Sequence, residues 1–193
     1  MLRRLRWVAA QIGAKDRGST TPMLLTPADL PGESWRVLDE RVWRTSGGEP
    51  VVGDERPRAA PTITVWRSFE QPPQQRWLWT QATPFASNDE AVRRLATVPE
   101  RGIRNLRADV RLTATEEPEP PRIPNVQDSW AREDATAGPR GEGIALCVAW
   151  VYRNVLSALA CSGSRDSWQW TDAASLATSQ TERISQLIGR LGN

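Results

Sequence analysis

The chain has 193 residues, of which 39% are apolar and 25% charged, which suits one globular domain with a sizeable core. It contains no histidine and only two cysteines, which excludes Ser-His-Asp and Cys-His catalysis and most zinc sites. We therefore predict no bound metal and no cofactor. The 25 basic and 23 acidic residues are spread along the chain, so we predict no nucleic-acid partner. No apolar run approaches the ~18 residues of a membrane span, so no transmembrane segment is predicted.

The N-terminus differs in character from the rest. Residues 1–6 are rich in arginine and a stretch of about eight largely apolar residues follows, which is the charge order of a secretory signal. The apolar part is short, contains Gln11 and lacks a convincing cleavage site. We predict a leader or arm over residues 1–21 and a single α+β domain over residues 22–193. We predict a cytoplasmic location, with export as the alternative if residues 1–14 act as a signal.

The sequence pattern in the first part of the domain predicts mainly short strands. Thr26 and Pro27 are placed to cap a short helical turn. Residues 34–44 fit either a helix or a strand, and we favour the strand. Residues 62–69 and 76–83 alternate in polarity and predict a β-hairpin.

A helix is predicted after this hairpin. Ser87 precedes Glu90 by three residues, which is the spacing of a capping box, and Pro99 ends the helical pattern. Residues 108–115 predict a further strand. The proline-rich residues 116–124 predict an extended link.

The most apolar part of the chain predicts a hairpin at the centre of the sheet. Two apolar runs are joined by a two-residue turn that sets Tyr152 opposite Val155. This register directs Cys147 and Cys161 to opposite faces, whereas a disulfide needs Cβ atoms ~4 Å apart. We therefore predict two reduced core thiols, which favours a cytoplasmic location.

The last predicted helix covers residues 171–189. Because small side chains let a helix approach a sheet closely, we predict that this helix packs on the small-residue face of the hairpin. That face carries Cys147, Ala149, Val151, Leu156, Ala158 and Ala160. The predicted fold class is α+β, with one antiparallel sheet, helices packed on one face and a cleft on the other.

Tryptophan is unusually frequent, with ten Trp against one Tyr and two Phe. Several Trp lie on predicted strands, where they either fill the core or line a cleft for an apolar or aromatic small molecule. Arg67 shares the apolar side of its strand and either snorkels, stacks on an indole ring or holds an anion. The predicted ligand-binding residues are Trp66, Arg67, Trp77, Trp79, Trp150 and Tyr152.

Two other functions fit the same residues. A cofactor-independent enzyme, such as a cyclase or isomerase of bacterial secondary metabolism, would fold an apolar substrate in a Trp-lined cavity. Asp39, Glu40 or Asp128 would then move a proton, although no acids stand at a diagnostic spacing and no catalytic residue is assigned. A protein-interaction module would instead use exposed Trp and Arg, which are enriched at binding hot spots.

Four short motifs carry a resemblance to a known family. They are LLTPADL at 24–30, FASNDEAVRRL at 85–95, IPNVQDSW at 123–130 and WVYRNVLSALACSGS at 150–164. Together they resemble the extracellular sensor domain of bacterial Ser/Thr kinases and of related sensor-domain lipoproteins. The resemblance implies a sensor-like α+β domain with one antiparallel sheet, which binds ligands in a cleft without catalysis. It implies no catalytic residues.

Overall fold

The computed structural model describes residues 22–45, 62–98, 111–138 and 141–192. The strands are β1 (Arg36–Thr45), β2 (Thr62–Gln71), β3 (Arg76–Pro84), β4 (Arg111–Glu116), β5 (Asp128–Gly138), β6 (Gly141–Tyr152) and β7 (Val155–Ser164). The helices are α1 (Asn88–Leu95) and α2 (Trp170–Gly192), and short 3₁₀ turns cover Pro27–Asp29 and Pro72–Gln74. The predicted leader over residues 1–21 lies outside the described residues.

All seven strands belong to one open sheet with the order β1-β2-β3-β7-β6-β5-β4, in which neighbours are antiparallel. The predicted α+β class with a single antiparallel sheet is confirmed. The central hairpin has the predicted register, since Tyr152 pairs with Val155 and Cys147 pairs with Ala160. The ambiguous segment before residue 45 is strand β1, as we favoured.

The helix after the first hairpin begins where its capping box predicts. Ser87 Oγ accepts a hydrogen bond of 3.2 Å from the backbone N–H of Glu90, and Glu90 Oε2 accepts one of 3.3 Å from the N–H of Ala86. The cap satisfies backbone donors that the first turn leaves free. Helix α1 spans only eight residues, so packing against the sheet must supply most of its stability.

The two α-helices of the described residues lie on opposite faces of the sheet. Helix α1 buries Ala91 and Leu95 against the small side chains of β6 and β7, and we call this side the α1 face. Helix α2 buries Leu176 and Ala177 against Trp150 and other large side chains, and we call this side the α2 face. The α1 face of the central hairpin carries Cys147, Ala149, Val151, Leu156, Ala158 and Ala160, and its α2 face carries Leu146, Val148, Trp150, Leu159 and Cys161.

The prediction that the last helix packs on the small-residue face was therefore wrong. That face does accept a helix, but the helix is α1. The expected layering, with helices on one face and a cleft on the other, is corrected in the same way. The pattern of small residues shows that a helix can approach closely, but it does not say which of two helices does so.

The described residues before β1 are hydrogen-bonded to α2 through Thr26 and Asp29. Arg183 donates to Thr26 Oγ1 over 3.0 Å and to Asp29 Oδ1 over 2.9 Å. Asp29 also accepts a hydrogen bond of 2.6 Å from the backbone N–H of Thr26. Burial raises the pKa of the Asp29 carboxyl, but the hydrogen bonds from Arg183 and Thr26 outweigh it and bring that pKa below its ordinary value. Leu24 and Leu25, in the same segment, are fully buried.

Candidate functional site

The six predicted ligand-binding residues are divided between the two faces of the sheet. Trp66, Trp77 and Trp79 pack on the α1 face. Arg67, Trp150 and Tyr152 lie on the α2 face, because Arg67 alternates with Trp66 along β2 and the other two pack beneath α2. A single cleft therefore does not contain all six side chains.

The two aromatic residues on the α2 face are bonded to α2. Trp150 is fully buried and its Nε1 donates a hydrogen bond of 2.9 Å to Thr181 Oγ1. The hydroxyls of Tyr152 and Ser185 are 3.2 Å apart. These contacts hold the helix on the sheet and give both residues a structural role.

Arg67 is also fully buried, and its guanidinium joins three segments. Nε donates to Glu40 Oε2 on β1 over 2.6 Å, and another nitrogen of the group lies 2.5 Å from the same oxygen. The remaining nitrogen donates to the carbonyl oxygen of Leu25 over 2.5 Å. Of the three roles that the sequence left open for Arg67, snorkelling to solvent is excluded. The group is instead paired with an acid of the same chain.

On the α1 face, the central strands β6 and β7 carry small side chains, and the strands on either side of them, β5 and β3, carry larger ones. We call the small side chains the floor and the larger side chains of β5, such as Trp130 and Arg132, the β5 wall. In one row, Arg132 on β5 lies opposite Cys147, Cys147 opposite Ala160, and Ala160 opposite Trp79 on β3. Strands β5 and β3 are three strand spacings apart, which is about 14 Å. Helix α1 packs over this floor, so the tryptophans of β3 stand beside a helix.

The β5 wall combines an aromatic ring with a buried ion pair. Asp134 is fully buried and accepts hydrogen bonds of 2.7 Å from Thr115 Oγ1 and 2.9 Å from Arg132 Nε. The guanidinium carbon of Arg132 lies 5.7 Å from the centroid of the Trp130 ring. Trp130 Nε1 is shielded from solvent and has no hydrogen-bond partner among the described residues. The wall therefore offers an indole ring, a cation and an unused donor on one strand.

Strand β5, and with it this wall, is not predicted from the sequence. Residues 130–136 alternate as a strand does, but the side that faces the sheet interior carries Arg132, Asp134 and Thr136 in addition to Trp130. Because apolar periodicity is the signal that identifies a strand, charges on the buried side conceal it. The available signal was the recurrence of Ala131, Ala135 and Ala137 on the other side of the strand, which Glu133 interrupts.

Both cysteine thiols are free and buried, as predicted. Burial, together with the nearby Asp134 carboxylate, raises the pKa of Cys147 to about 12. Burial also raises the pKa of Cys161 well above its ordinary value. Neither group is therefore a reactive thiolate at neutral pH.

Two of the three acids that the enzyme alternative would use are held in ion pairs. Asp39 forms an ion pair with Arg41 at 2.9 Å, and Glu40 is paired with Arg67. Asp128 stands at the start of β5 opposite Val151. The arginine contacts of Asp39 and Glu40 therefore do not point to a general base.

Comparison with known proteins finds the fold and no family. No family model matches the chain, and no curated protein matches it. The extracellular domain of PknH from Mycobacterium tuberculosis matches with a TM-score of 0.53 and 13% identity, over 85% of this chain and 93% of that one. A putative uncharacterized protein (Rv0999 ortholog) from Mycobacterium smegmatis matches with a TM-score of 0.48 and 9% identity, over 95% and 96% of the two chains. The resemblance to extracellular sensor domains is thus confirmed at the level of the fold.

The predicted cytoplasmic location is corrected by this comparison, because the PknH match is an extracellular domain. The prediction rested on the short apolar stretch near the N-terminus, which lacks a convincing cleavage site, and on two unpaired thiols. Their separation onto opposite faces explains why they are unpaired in any compartment. Within the described ranges, no helix is long and apolar enough to cross a membrane. The absence of a metal, a cofactor or a nucleic-acid partner stays a prediction.

Proposed function

We propose that this chain is an exported, sensor-like module that binds a small molecule on its α1 face without catalysing a reaction. The ligand class is a flat apolar or aromatic molecule that carries a hydrogen-bond acceptor. Trp130 and Arg132 on β5 are its principal contacts. Trp66, Trp77 and Trp79 flank the same face. Arg67, Trp150 and Tyr152 are withdrawn from the binding set because they hold the α2 face together.

The observation that carries this proposal is the unpartnered indole N–H of Trp130. Burying a donor without an acceptor costs about 1–3 kcal/mol of stability, so a ligand that supplies the acceptor recovers free energy when it binds. Arg132 lies close to the same ring; its Nε–H is bonded to the buried Asp134 carboxylate, and its other guanidinium N–H groups would donate to the ligand's acceptor. Few polar groups in an apolar surround are typical of small-molecule sites.

A fluorescence titration with 8-anilinonaphthalene-1-sulfonate tests the proposal, because this probe is flat, aromatic and anionic. The wild-type protein should bind it saturably. Trp130→Phe keeps an aromatic ring and removes only the indole donor, so the dissociation constant should rise about 3- to 10-fold. Tyr152→Phe is the matched control, since it removes a polar group from an aromatic residue on the α2 face and should leave binding unchanged.

Three results would overturn the proposal. They are no saturable binding by the folded protein, equal affinity of wild type and Trp130→Phe, or an equal loss in Tyr152→Phe. A melting curve for each variant separates a loss of binding from a loss of fold.

Export has its own test, because it depends on residues outside the described structure. Residues 1–21 should direct a reporter that is active only outside the cytoplasm, such as alkaline phosphatase, to its active location. A reporter that stays inactive with this segment and becomes active with a known signal would contradict export through residues 1–14.

A further inference from the structure

Edge strand β1 carries most of the large apolar side chains that the described residues leave exposed. Val37, Leu38 and Val42 are 44%, 48% and 47% exposed, and the fourth such residue lies on β4 at the other edge of the sheet. Val42 pairs with buried Val65 and Val37 pairs with buried Phe69. The α2-face core therefore continues to the sheet edge, where the described residues leave it uncovered.

A strand that pairs with its own copy is restricted to few registers. Alternate residues of an edge strand direct their N–H and C=O groups outward, and the two residues of a hydrogen-bonded antiparallel pair must both do so. Paired residues of two identical strands must then be an even number of positions apart. The two-fold axis consequently passes through a residue and not between two residues.

The register centred on Glu40 matches the chemistry of β1. It sets Asp39 opposite Arg41 of the second copy, and symmetry repeats this contact. It also sets Leu38 opposite Val42. Registers centred on Asp39 or on Arg41 instead place the Glu40 carboxylate against one of these apolar side chains. The register of β1 on β2 shifts between Val37 and Asp39 and leaves Leu38 without a partner on β2, so the regular stretch begins at Asp39 and Leu38 meets Val42 at its end.

The charges at the axis are compatible with this register. Glu40 is already neutralised within its own chain by Arg67, with 2.5 Å between the charged atoms. The two Glu40 side chains that meet at the axis therefore each bring a guanidinium. Asp39 and Arg41 form an exposed intrachain pair, with 39% and 62% of their side chains accessible. When two such pairs face each other, each Asp39 lies opposite an Arg41 of the other copy, so the charges alternate in sign.

We propose that the protein forms a symmetric dimer in which β1 pairs antiparallel with β1 of a second copy, centred on Glu40. The pairing joins two seven-stranded sheets into one and covers Leu38 and Val42. Its basis is the self-complementary order of apolar and charged residues, and it does not depend on the proposed ligand site. Unpaired sheet edges favour such association, whereas the charges on β1 restrict it to one register.

Sedimentation equilibrium of the full chain tests the dimer with two charge variants, D39R and R41D. Each variant alone places like charges opposite one another twice, so its dimerisation should be on the order of tenfold weaker than that of the wild type. In an equimolar mixture, each position 39 of one chain faces a position 41 of opposite charge on the other. The mixture should therefore form a heterodimer about as strongly as the wild type forms its homodimer. If the substitutions acted only by breaking the Asp39–Arg41 pair within each chain, mixing the variants would not restore association.

Leu112→Lys, at the opposite edge, is the control and should associate as the wild type does. The proposal is overturned by a wild-type protein that stays monomeric, by single variants that dimerise normally, or by a mixture that associates no better than its components. Loss of the dimer in Leu112→Lys would assign the contact to β4 and would equally overturn it.

Discussion

The two faces of the sheet use the same residue type in different ways. On the α2 side, four indole N–H groups donate to protein acceptors, and the residues that carry them are Trp35, Trp150, Trp168 and Trp170. On the α1 side, the N–H of Trp130 is shielded and finds no acceptor in the part of the chain that the structure describes. Tryptophan content alone therefore does not indicate a ligand site. The informative property is whether the polar end of each ring is already used.

The helices account for much of this difference. Helix α2 has 23 residues and brings hydrogen-bonding side chains such as Gln180 and Thr181 to the sheet. Helix α1 has eight residues and buries only Ala91 and Leu95. A short helix covers less of the face beneath it. The α1 face is consequently the side on which a ligand has unused groups to bind.

The largest expected effect comes from Trp150→Ala, which should lower the free energy of unfolding by about 3–5 kcal/mol. This substitution removes a fully buried indole and its hydrogen bond to α2. Guanidinium denaturation measures the change. Trp130→Ala should lower the free energy of unfolding by clearly less than Trp150→Ala does, because the Trp130 ring is only partly buried. Equal costs would show that the two faces are packed alike.

Removing single polar groups sharpens the comparison further. Thr181→Val leaves the Trp150 N–H without an acceptor in the core and should cost about 1–3 kcal/mol. Trp130→Phe removes a donor that has no partner, so its unfolding free energy should change little or increase. If urea denaturation shows that Trp130→Phe loses as much as Thr181→Val, the Trp130 N–H has an acceptor and the proposed difference between the faces does not hold.

The labelling rates of the two cysteines measure how often each face of the sheet opens locally. Burial and the raised pKa values make both thiols unreactive in the folded state at neutral pH, so labelling requires local opening. We expect Cys147, beneath the short helix α1, to be labelled several-fold faster than Cys161, beneath α2. Single-thiol variants, Cys161→Ala and Cys147→Ala, allow each rate to be measured. A faster rate for Cys161 would reverse the assigned order of stability.

The smallest expected effect concerns the contact between Asp29 and α2. The pKa of Asp29 in the folded protein lies below its ordinary value of 3.8, so the carboxylate stabilises the fold above that pH. The contribution is lost as the pH falls through the lowered folded pKa. Asp29→Asn should be modestly less stable than the wild type at neutral pH and should match it in acid. A stability difference that does not depend on pH would exclude this linkage.

The sequence was sufficient where local chemistry determines structure. The capping box at Ser87, the register from Tyr152 to Val155 and the separation of the thiols all follow from neighbouring residues, and each is confirmed. It failed where distant segments decide the outcome. Which helix covers the small-residue face depends on chain topology, and β5 is concealed because the buried Asp134 and Arg132 satisfy one another across two positions of one strand.

Indole N–H resonances of the protein labelled with ¹⁵N-tryptophan test the central claim most directly. On titration with 8-anilinonaphthalene-1-sulfonate, the Trp130 indole resonance, assigned by its loss in Trp130→Phe, should move as its donor gains an acceptor. The Trp150 resonance should stay in place, because its donor is already bonded to Thr181. A shift at Trp150 with none at Trp130 would contradict the assignment of the α1 face as the binding side.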